Sequence, residues 1–317
     1  MAPREYEAVN DLFNRAFHKK RGMRECMWKY KTNPAGEAIC VVCEHEGKIV
    51  GYIAGMPREV QVGDKIIKSY LLGDLCIEED YRGRGLFPMI LFGYLKHITT
   101  LGIAILSKRM RDTWSKLAGE RFKSSAIPKM TRSINIGLAD IPSIISTHLF
   151  RRNGGDSHII KTVTFGPEYD DLWDSVSPNM PTMVIRKSRY LNWRFVEKPD
   201  NDYEIYSWVE DGRVLGYIVL TARGSEGMIG DILTVRNTHV VEGLIQQAMK
   251  FFRAKNIKKI VVYAMDEYYR GIFKKHGFAE TDSGMFFSTL NATDEVDKTD
   301  KSNPEKWFIT AADSDAY

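Results

Sequence analysis

The sequence predicts a mixed α/β fold, α+β-like in its grouping of strands, in which one series of elements occurs twice. Apolar residues recur at helical spacing over Tyr6–His18 and Met23–Tyr30, and apolar runs of strand length follow them. A similar order begins again at Glu168-Tyr169. We therefore expect two domains, at residues 1–140 and 164–290, each a mostly antiparallel twisted sheet flanked by helices.

Glycine-containing turns divide the strands of the first domain. Glu46-Gly47 and Gly63-Asp64 each lie between two apolar runs, which is typical of antiparallel hairpins. The strand segments are predicted at Ile39–Cys43, Ile49–Met56, Val60–Val62 and Ile66–Ile77. The later elements are predicted as a helix from Leu86, a strand at Ala104–Ser107, a helix at Asp112–Phe122 and a closing strand at Arg132–Ile136.

Four short sequence blocks recur in the same order in the second domain, and this indicates a tandem duplication. The paired blocks are Trp28–Pro34 with Trp193–Pro199, Gly47–Ile53 with Gly212–Ile218, Gly73–Leu75 with Gly230–Ile232, and Phe122 with Phe278. A linker is predicted at 141–163, where Arg151–Gly155 is polar and rich in turn residues. Residues 291–317 are predicted as a flexible polar connector and a docking tail, with Asp313 or Asp315 as candidates at a cleft rim.

The stretch Leu71–Leu101 carries the strongest functional pattern in the chain. A strand and a charged turn precede the loop Arg82-Gly83-Arg84-Gly85, and an apolar helical pattern starts at Leu86. Glycines let the backbone approach a ligand closely, and the first amides of a helix lack partners within the helix. Together with the two arginines they predict a phosphate site. A contact to nucleic-acid phosphates and a plain basic turn remain the alternatives, whereas the glycine patterns of a P-loop and of a dinucleotide fingerprint are absent.

The loop resembles the acyl-CoA pyrophosphate loop of the GNAT acyltransferases, Arg/Gln-x-x-Gly-x-Gly/Ala. Arg82 and Gly85 match this pattern, whereas Phe87 stands where the family has Gly or Ala. The resemblance implies two GNAT folds in tandem and an acyl-CoA co-substrate, acetyl-CoA first of all. The second domain has Glu242 near the matching place and no glycine pair, so the donor is expected in the first domain only. The implied binding residues are Leu75, Cys76, Ile77, Arg82, Gly83, Arg84, Gly85, Leu86 and Phe87.

Asp74 is the candidate general base, because it interrupts an apolar strand just before the stretch that the resemblance places at the thioester. A buried carboxylate is costly unless it is paired or functional, and burial raises its pKa. The alternative is that Asp74 fixes a neighbouring loop, as the matching Asp231 suggests. The candidate acceptor-binding residues are Trp28, Tyr30, Asn33, Arg109 and Asp231, with core packing as the alternative for the two aromatic residues.

Composition restricts the class of partner. The 317 residues are 44% hydrophobic and 27% charged, as in ordinary globular proteins, and the net charge of +4 does not indicate nucleic acid. No apolar run approaches the ~20 residues that span a bilayer. Four cysteines without framework spacing predict a reducing cytoplasm. Cys40 and Cys43 would point to opposite faces of a strand, so no metal is expected.

Taken together, these patterns predict a cytoplasmic acyl-CoA-dependent N-acyltransferase, in the first place an N-acetyltransferase. The expected acceptor is the amine of a small molecule such as an amino acid or amino sugar, which attacks the thioester directly. A monomer or homodimer is expected, without a membrane or nucleic-acid partner. Two other classes remain open: a Fem-like aminoacyl transferase that uses charged tRNA, and a non-catalytic acyl-CoA-binding sensor.

Overall fold

A computed structural model of the chain describes residues 3–98, 100–134, 158–200, 202–291 and 303–314. We call residues 3–134 the front half, residues 158–291 the rear half and residues 303–314 the tail. The helices of the front half are α1 (Pro3–Phe17), α2 (Met23–Tyr30), α3 (Leu86–Leu95) and α4 (Lys108–Ala118). Its strands are β1 (Ile39–His45), β2 (Lys48–Val62), β3 (Lys65–Ile77), β4 (Leu101–Ser107) and β5 (Phe122–Ser133).

The rear half repeats this order of strands and helices. Its helices are α5 (Glu168–Val176), α6 (Ser188–Leu191), α7 (Thr238–Ala254) and α8 (Glu267–Lys275). Its strands are β6 (His158–Thr162), β7 (Met183–Val184), β8 (Glu204–Glu210), β9 (Arg213–Arg223), β10 (Glu226–Thr234), β11 (Lys259–Tyr263) and β12 (Ala279–Asn291). The series from β8 to β12 therefore matches the series from β1 to β5. A duplication as the origin of this match stays a prediction.

The strands of the described residues form one mixed sheet. Its order is β1-β2-β3-β4-β12-β5-β11-β10-β9-β8-β6, and β7 pairs with β2 outside this path. The β3–β4 and β10–β11 pairs are parallel, and the other pairs are antiparallel. The mixed α/β fold predicted from the sequence is confirmed.

The two halves exchange strands at the centre of the sheet. Strand β12 of the rear half lies between β4 and β5 of the front half, and β5 in turn pairs with β11 of the rear half. Each half therefore completes its sheet with a strand from the other. The predicted domain boundaries stay predictions. Most of the predicted linker 141–163, together with Ile136, Asp315 and most of the connector, lies outside the described residues.

The predicted helix Asp112–Phe122 was misplaced by about a turn. Helix α4 begins directly after β4, with Ser107 as its N-cap residue. It ends at Gly119, which has a φ of 56°. Phe122 already belongs to β5, and its helical spacing from earlier apolar residues had extended the prediction beyond this glycine.

The predicted closing strand Arg132–Ile136 was also wrong in position, because β5 spans Phe122–Ser133. Pro128 lies in the middle of this strand and weakens the sequence signal, since proline cannot donate to a ladder. The strand accommodates it at an irregularity in its pairing with β12, which shifts register between Asp282 and Phe286.

Two tryptophans join the halves. The indole N–H of Trp28 donates to the carbonyl of Trp193 at 2.7 Å, and that of Trp193 donates to the carbonyl of Trp28 at 3.1 Å. Their rings stack with centroids 4.8 Å apart. This reciprocal contact between matching residues gives the centre of the molecule a local two-fold relation, and it fixes α2 against the rear half.

Candidate active site

A cleft opens in the front half where β3 and β4 separate. These parallel strands pair over Ser69–Leu71 of β3. Beyond Leu71, a cavity of about 510 Å³ lies beside β3. It has an apolar lining with polar groups at its edges. The residues that line it are Ala16, Phe17, Ile53, Leu72–Ile77, Arg82, Phe87, Ile105, Leu106, Met110 and Trp114.

A β-bulge lies on the wall of this cleft. Tyr52 of β2 pairs with Cys76 and Ala54 pairs with Gly73, so two residues of β3 oppose one residue of β2. Asp74, one of the two, has a φ of 51°. A bulge leaves a backbone group outside the ladder. On its other side β3 pairs with β4 only over Ser69–Leu71, so its edge is open to a ligand at the level of Asp74.

The glycine loop lies where the resemblance placed it, between β3 and the N-terminus of α3. Gly83 and Gly85 have φ values of 78° and 79°, and Gly85 is the N-cap residue of α3 without a side-chain cap. A Cβ atom added to either glycine would stand in open space. The amides of Gly85, Leu86 and Phe87 precede the first helical hydrogen bond, so this turn can hold an anion on bare N–H groups.

The cleft also contains an unused hydrogen-bond donor. Trp114 of α4 is 3% exposed, and its indole Nε1 is buried without a partner among the described residues. Because a buried donor without a partner is costly, Trp114 fits a ligand that brings an acceptor atom into the cleft. Arg82 at the other end of the cleft is exposed and donates to the carbonyl of Ile77 at 3.1 Å.

The Asp74 carboxylate contacts three side chains, one from the turn before α2 and two from α2. Nη1 of Arg21 lies 2.7 Å and Nζ of Lys29 lies 2.8 Å from its carboxylate oxygens, and the hydroxyl of Tyr30 donates to it. Burial raises the pKa of Asp74, but the charges of Lys29 and Arg21 outweigh this, so the pKa lies below its usual value. A carboxylate with two ion pairs and a low pKa is a weak base. These contacts favour the alternative role, in which Asp74 fixes its neighbours, and the general-base role stays a prediction.

The lining of the cleft includes the thiol of Cys76. Burial raises the pKa of Cys76 to about 12, and the charge of Asp74 adds to this. The thiol is therefore neutral near pH 7, and thiolate is the reactive form of cysteine. The residues that line the cleft thus favour direct transfer to an acceptor over an acyl-enzyme intermediate.

Most of the predicted acceptor-binding residues are buried and already paired. Trp28 binds Trp193, Tyr30 binds Asp74, and the side-chain amide of Asn33 donates to the carbonyl of Pro57 at 3.0 Å. None of these three is among the residues that line this cleft. Arg109 is exposed in the first turn of α4. Their role in acceptor binding stays a prediction, and the contacts favour packing for the buried ones.

A second cavity of about 520 Å³ adjoins the cleft. Asp74 and Phe17 line both cavities, so these two residues lie between the two spaces. The composition of the sequence did not reveal this cavity, because its lining comes from separate segments. Its residues are Phe13, Phe17, Lys19, Lys20, Arg21, Glu25, Lys29, Asp74, Lys198 and Arg223.

The matching cleft of the rear half is filled by the tail. Trp307, Phe308 and Ile309 are each 1% exposed. The amide of Met265 donates to the carbonyl of Ile309 at 3.2 Å, and the ring of Phe308 meets that of Tyr269 edge-on at 5.7 Å. The space that remains here is about 10 Å³, at the lower limit for a single water molecule.

A buried charge cluster ties the tail to Asp231, the residue that matches Asp74. Arg186 is 0% exposed, and it lies 3.0 Å from Asp231 and 2.8 Å from Asp313 of the tail. Thr310 of the tail also donates to Asp231 at 2.8 Å. The sequence suggested Asp313 as a candidate at a cleft rim, but the structure buries it in this cluster. Asp231 has no open space beside it for an acceptor.

The rear loop differs from the glycine loop as the sequence predicted. The side chain of Asn237, the N-cap residue of α7, accepts a hydrogen bond from the amide of His239 at 2.9 Å. One of the amides that could hold an anion is thereby occupied. In the described part of the chain, no group of His, Cys, Asp and Glu side chains could hold a metal ion, and no helix is long and apolar enough to cross a bilayer.

The site therefore combines a twisted sheet that splits at the parallel pair β3–β4 with a glycine loop and a helix N-terminus beside the split. Residues 1–107 match the family described as acetyltransferase (GNAT) domain. Among the solved structures that are similar over most of the chain are the following three. The first is a conserved Enterococcus faecalis protein of unknown function, described as a probable N-acyltransferase. It has a TM-score of 0.64 at 10% identity, and the matched region covers 91% of this chain and 70% of the Enterococcus chain.

The other two structures agree in fold. A GCN5-related N-acetyltransferase from Anabaena variabilis has a TM-score of 0.61 at 16% identity, over 92% of this chain and 71% of its own. The N-myristoyltransferase of Saccharomyces cerevisiae, solved with bound myristoyl-CoA, has a TM-score of 0.57 at 13% identity, over 92% of this chain and 76% of its own. No curated protein matches by sequence. The family match thus places an acetyltransferase (GNAT) domain in the front part of the chain, and the solved structures show that most of the chain shares their fold.

Proposed function

We propose that the protein is an acyl-CoA-dependent N-acyltransferase whose donor binds in the front cleft. The observation that carries this proposal is the continuity of the cleft beside β3 with Arg82 and Phe87 at the glycine loop. The matching cleft of the rear half is filled by the tail. Acetyl-CoA is the proposed donor, and the amine of a small molecule is the proposed acceptor.

The chain would hold the donor by three kinds of contact. The amides of Gly85, Leu86 and Phe87 would bind the diphosphate, and Arg82 and Arg84 would add positive charge. The free edge of β3 would pair with the extended pantetheine arm in the place that β4 leaves. The unused indole N–H of the cleft would donate to an oxygen of the donor.

The chemistry requires little of the protein beyond these contacts. Bound acyl-CoA supplies a thioester: the amine nitrogen forms a bond to its carbonyl carbon, the C–S bond breaks, and the thiolate takes up a proton. The free backbone group at the bulge of Asp74-Leu75 is our candidate donor to the oxyanion that develops. Asp74 would hold Lys29 and Arg21 at the junction of the two cavities. An α-amino group with a pKa of about 7.7–8.0 needs little help to lose its proton.

Thermal unfolding in the presence of acetyl-CoA, longer acyl-CoAs and free CoA tests donor binding. A ligand at about 100 times its Kd stabilises the folded state by about 2.7 kcal/mol. With an unfolding entropy of about 2.1 cal/mol/K per residue, this raises Tm by about 4 °C. The chain length of the preferred donor follows from the ranking of these shifts.

A matched pair of glycine variants ties the shift to the loop. Gly85 and Gly212 both have positive φ (79° and 73°), and both face open space. Gly85→Glu and Gly212→Glu therefore introduce similar backbone strain, about 1–2 kcal/mol. We expect Gly85→Glu alone to abolish the shift by acyl-CoA. An unchanged shift in Gly85→Glu would remove the loop from the site.

Release of free thiol in the presence of candidate amines tests transfer. Amine-dependent release supports the enzyme, and its loss in Gly85→Glu assigns it to the front cleft. Binding of acyl-CoA without release by any amine would favour the non-catalytic sensor. Release that needs charged tRNA instead of a free amine would favour the aminoacyl transferase.

A further inference from the structure

The second cavity adjoins the donor cleft from the other side of Asp74, as Phe17 and Asp74 line both spaces. A molecule in the second cavity would therefore lie against the inner end of the donor cleft. The inference below rests on the proposed function, because it names the class of acceptor for the same site.

The second cavity has a strong excess of positive charge. Its lining contains six basic side chains and two acidic ones, Glu25 and Asp74. The basic residues come from both halves of the chain, which argues for a site that the fold assembles. They are Lys19, Lys20 and Arg21 after α1, Lys29 on α2, Lys198 after α6, and Arg223 at the end of β9.

Arg21, which lines this cavity, has one donor atom without a hydrogen-bond partner among the described residues, and its guanidinium lies 3.7 Å from the centroid of the Phe13 ring. The Arg21 side chain is 2% exposed; its Nη1 binds Asp74 at 2.7 Å and its Nε donates to Asn10 at 2.7 Å. Its Nη2 is buried and has no hydrogen-bond partner among the described residues. A buried guanidinium nitrogen without an acceptor is unfavourable, and an anionic oxygen is its strongest partner.

The mouth of the cavity has cations that remain accessible. The Arg223 side chain is 68% exposed and lies 3.7 Å from Asp202. The ammonium group of Lys198 lies over the rings of Trp28 and Tyr203, at 5.9 and 5.8 Å from their centroids. Positive charge at the mouth attracts anions, and the enclosed cation at the base then binds them.

We propose that the amine acceptor carries at least one carboxylate or phosphate group, which binds in the second cavity with its oxygens directed to Arg21. Its amine then lies near Asp74, which lines both cavities. Neutral amines lack the anchoring group. Amines with only positive charge are repelled by the lining.

The phosphates of the donor do not account for this charge. The proposed diphosphate site is at Arg82–Phe87, and Arg82 and Phe87 of that segment line the donor cleft but not the second cavity. The rear half contributes Lys198 and Arg223 to the second cavity and has no residue in the lining of the donor cleft. Variants of these two residues should therefore separate acceptor binding from donor binding.

The first experiment measures thiol release from acetyl-CoA with amines that differ in one anionic group. The pairs are glutamate with glutamine, aspartate with asparagine, O-phosphoserine with serine, and glucosamine 6-phosphate with glucosamine. We expect the anionic member to have a kcat/KM at least about tenfold higher, as a charge-assisted contact provides. The ranking of carboxylates against phosphates identifies the preferred anion.

The variants Lys198→Met and Arg223→Met test the lining, and Arg213→Met is the matched control. Arg213 is exposed at the opposite end of the same strand, β9. Each lining variant should raise the KM of the anionic amine about two- to fivefold, and the double variant about tenfold, because exposed charges contribute little individually. The KM of acetyl-CoA should change less than about twofold, since the donor cleft does not contain these residues.

A binding experiment decides the inference even when no amine of the panel is acylated. Phosphate and citrate, each at an ionic strength matched with NaCl, should raise Tm in the parent and in Arg213→Met but less in Lys198→Met/Arg223→Met. Equal shifts in all three proteins, or faster transfer to the neutral amines, would overturn the inference. Faster transfer to neutral amines would leave the proposed function intact, whereas the absence of any acyl-CoA shift would refute the proposed function itself.

Discussion

Replacing Asp74 by Asn tests the role of the carboxylate at the junction of the two cavities. The substitution keeps the size of the side chain and removes its charge. Arg21 and Lys29, at 2.7 and 2.8 Å, would then be buried beside a neutral amide. Breaking a buried pair by removal of one partner costs about 3–5 kcal/mol. At about 2.1 cal/mol/K per residue of unfolding entropy, this corresponds to a fall in Tm of about 5–8 °C.

Asp231→Asn is the matched control, because Asp231 sits at the same place in the rear half and lies 3.0 Å from Arg186. It should lose a similar amount of stability. If Asp74 acts by position, kcat of Asp74→Asn falls less than about tenfold, and the KM of the acceptor changes with the displaced Arg21. A catalytic base would instead contribute about 10²–10⁴ to kcat. Asp231→Asn should leave both constants unchanged.

The pH dependence of stability gives an independent check. The pKa of Asp74 is lowered in the folded protein, so its stabilising effect is complete above the unfolded value of about 3.9. The effect is lost as the pH falls through the lower, folded value. The difference in stability between the parent and Asp74→Asn should therefore close only in strong acid.

The assay is steady-state thiol release against pH, together with urea unfolding monitored by tryptophan fluorescence. A fall in kcat of more than about 100-fold, with an unchanged acceptor KM and the loss of the acidic limb of the pH profile, would refute the positional role. Such a result would confirm the base that the sequence predicted.

Arg186→Met should lower the free energy of unfolding by about 3–5 kcal/mol, because it leaves two buried carboxylates without their cation. Lys187→Met, which removes an exposed ion pair with Asp174 at 2.9 Å, should lower it by at most about 1 kcal/mol. Urea unfolding measures both values. Trp114→Phe should weaken acyl-CoA binding about two- to tenfold, as measured by calorimetric titration. The control is Trp208→Phe: Trp208 also has a buried indole N–H without a partner among the described residues, but it lines neither the donor cleft nor the second cavity, so binding should not change. Burial lowers the pKa of His276, so the parent should lose stability as the pH falls below about 6.5, and His276→Asn should lose less; thermal unfolding between pH about 5 and 7.5 tests it.

Local patterns in the sequence were sufficient for most elements of the front half. The hairpin around Glu46-Gly47 and the glycine loop at Arg82–Gly85 both lie where turn chemistry and periodicity predicted them. Both depend on residues close in sequence, so short windows contain the information. The bounds of α4 and β5 were less accurate, because Phe122 continues the helical spacing and Pro128 interrupts a strand pattern.

Long-range pairings could not be read in the same way. Nothing in the spacing of β12 shows that it enters the sheet between β4 and β5. The partners of Asp74 lie far from it in sequence. Arg21 in the turn before α2 and Lys29 on α2 look, in the sequence, like ordinary solvated charges. A buried carboxylate in a strand can be a base or an anchor, and the neighbours that the fold brings to it decide between them.

The exchange of β5 and β12 has a consequence for how the polypeptide acquires its shape during synthesis. When the ribosome has made residue 134, β4 has no neighbour on its inner side, and it acquires one only when residues 279–291 have left the exit tunnel. We therefore expect the amino-terminal segment to remain incompletely folded until nearly the whole chain has been translated. During this time its exposed strand edge can pair with other chains. Expression of residues 1–134 alone should yield aggregates, and co-expression with the remaining segment should recover soluble material.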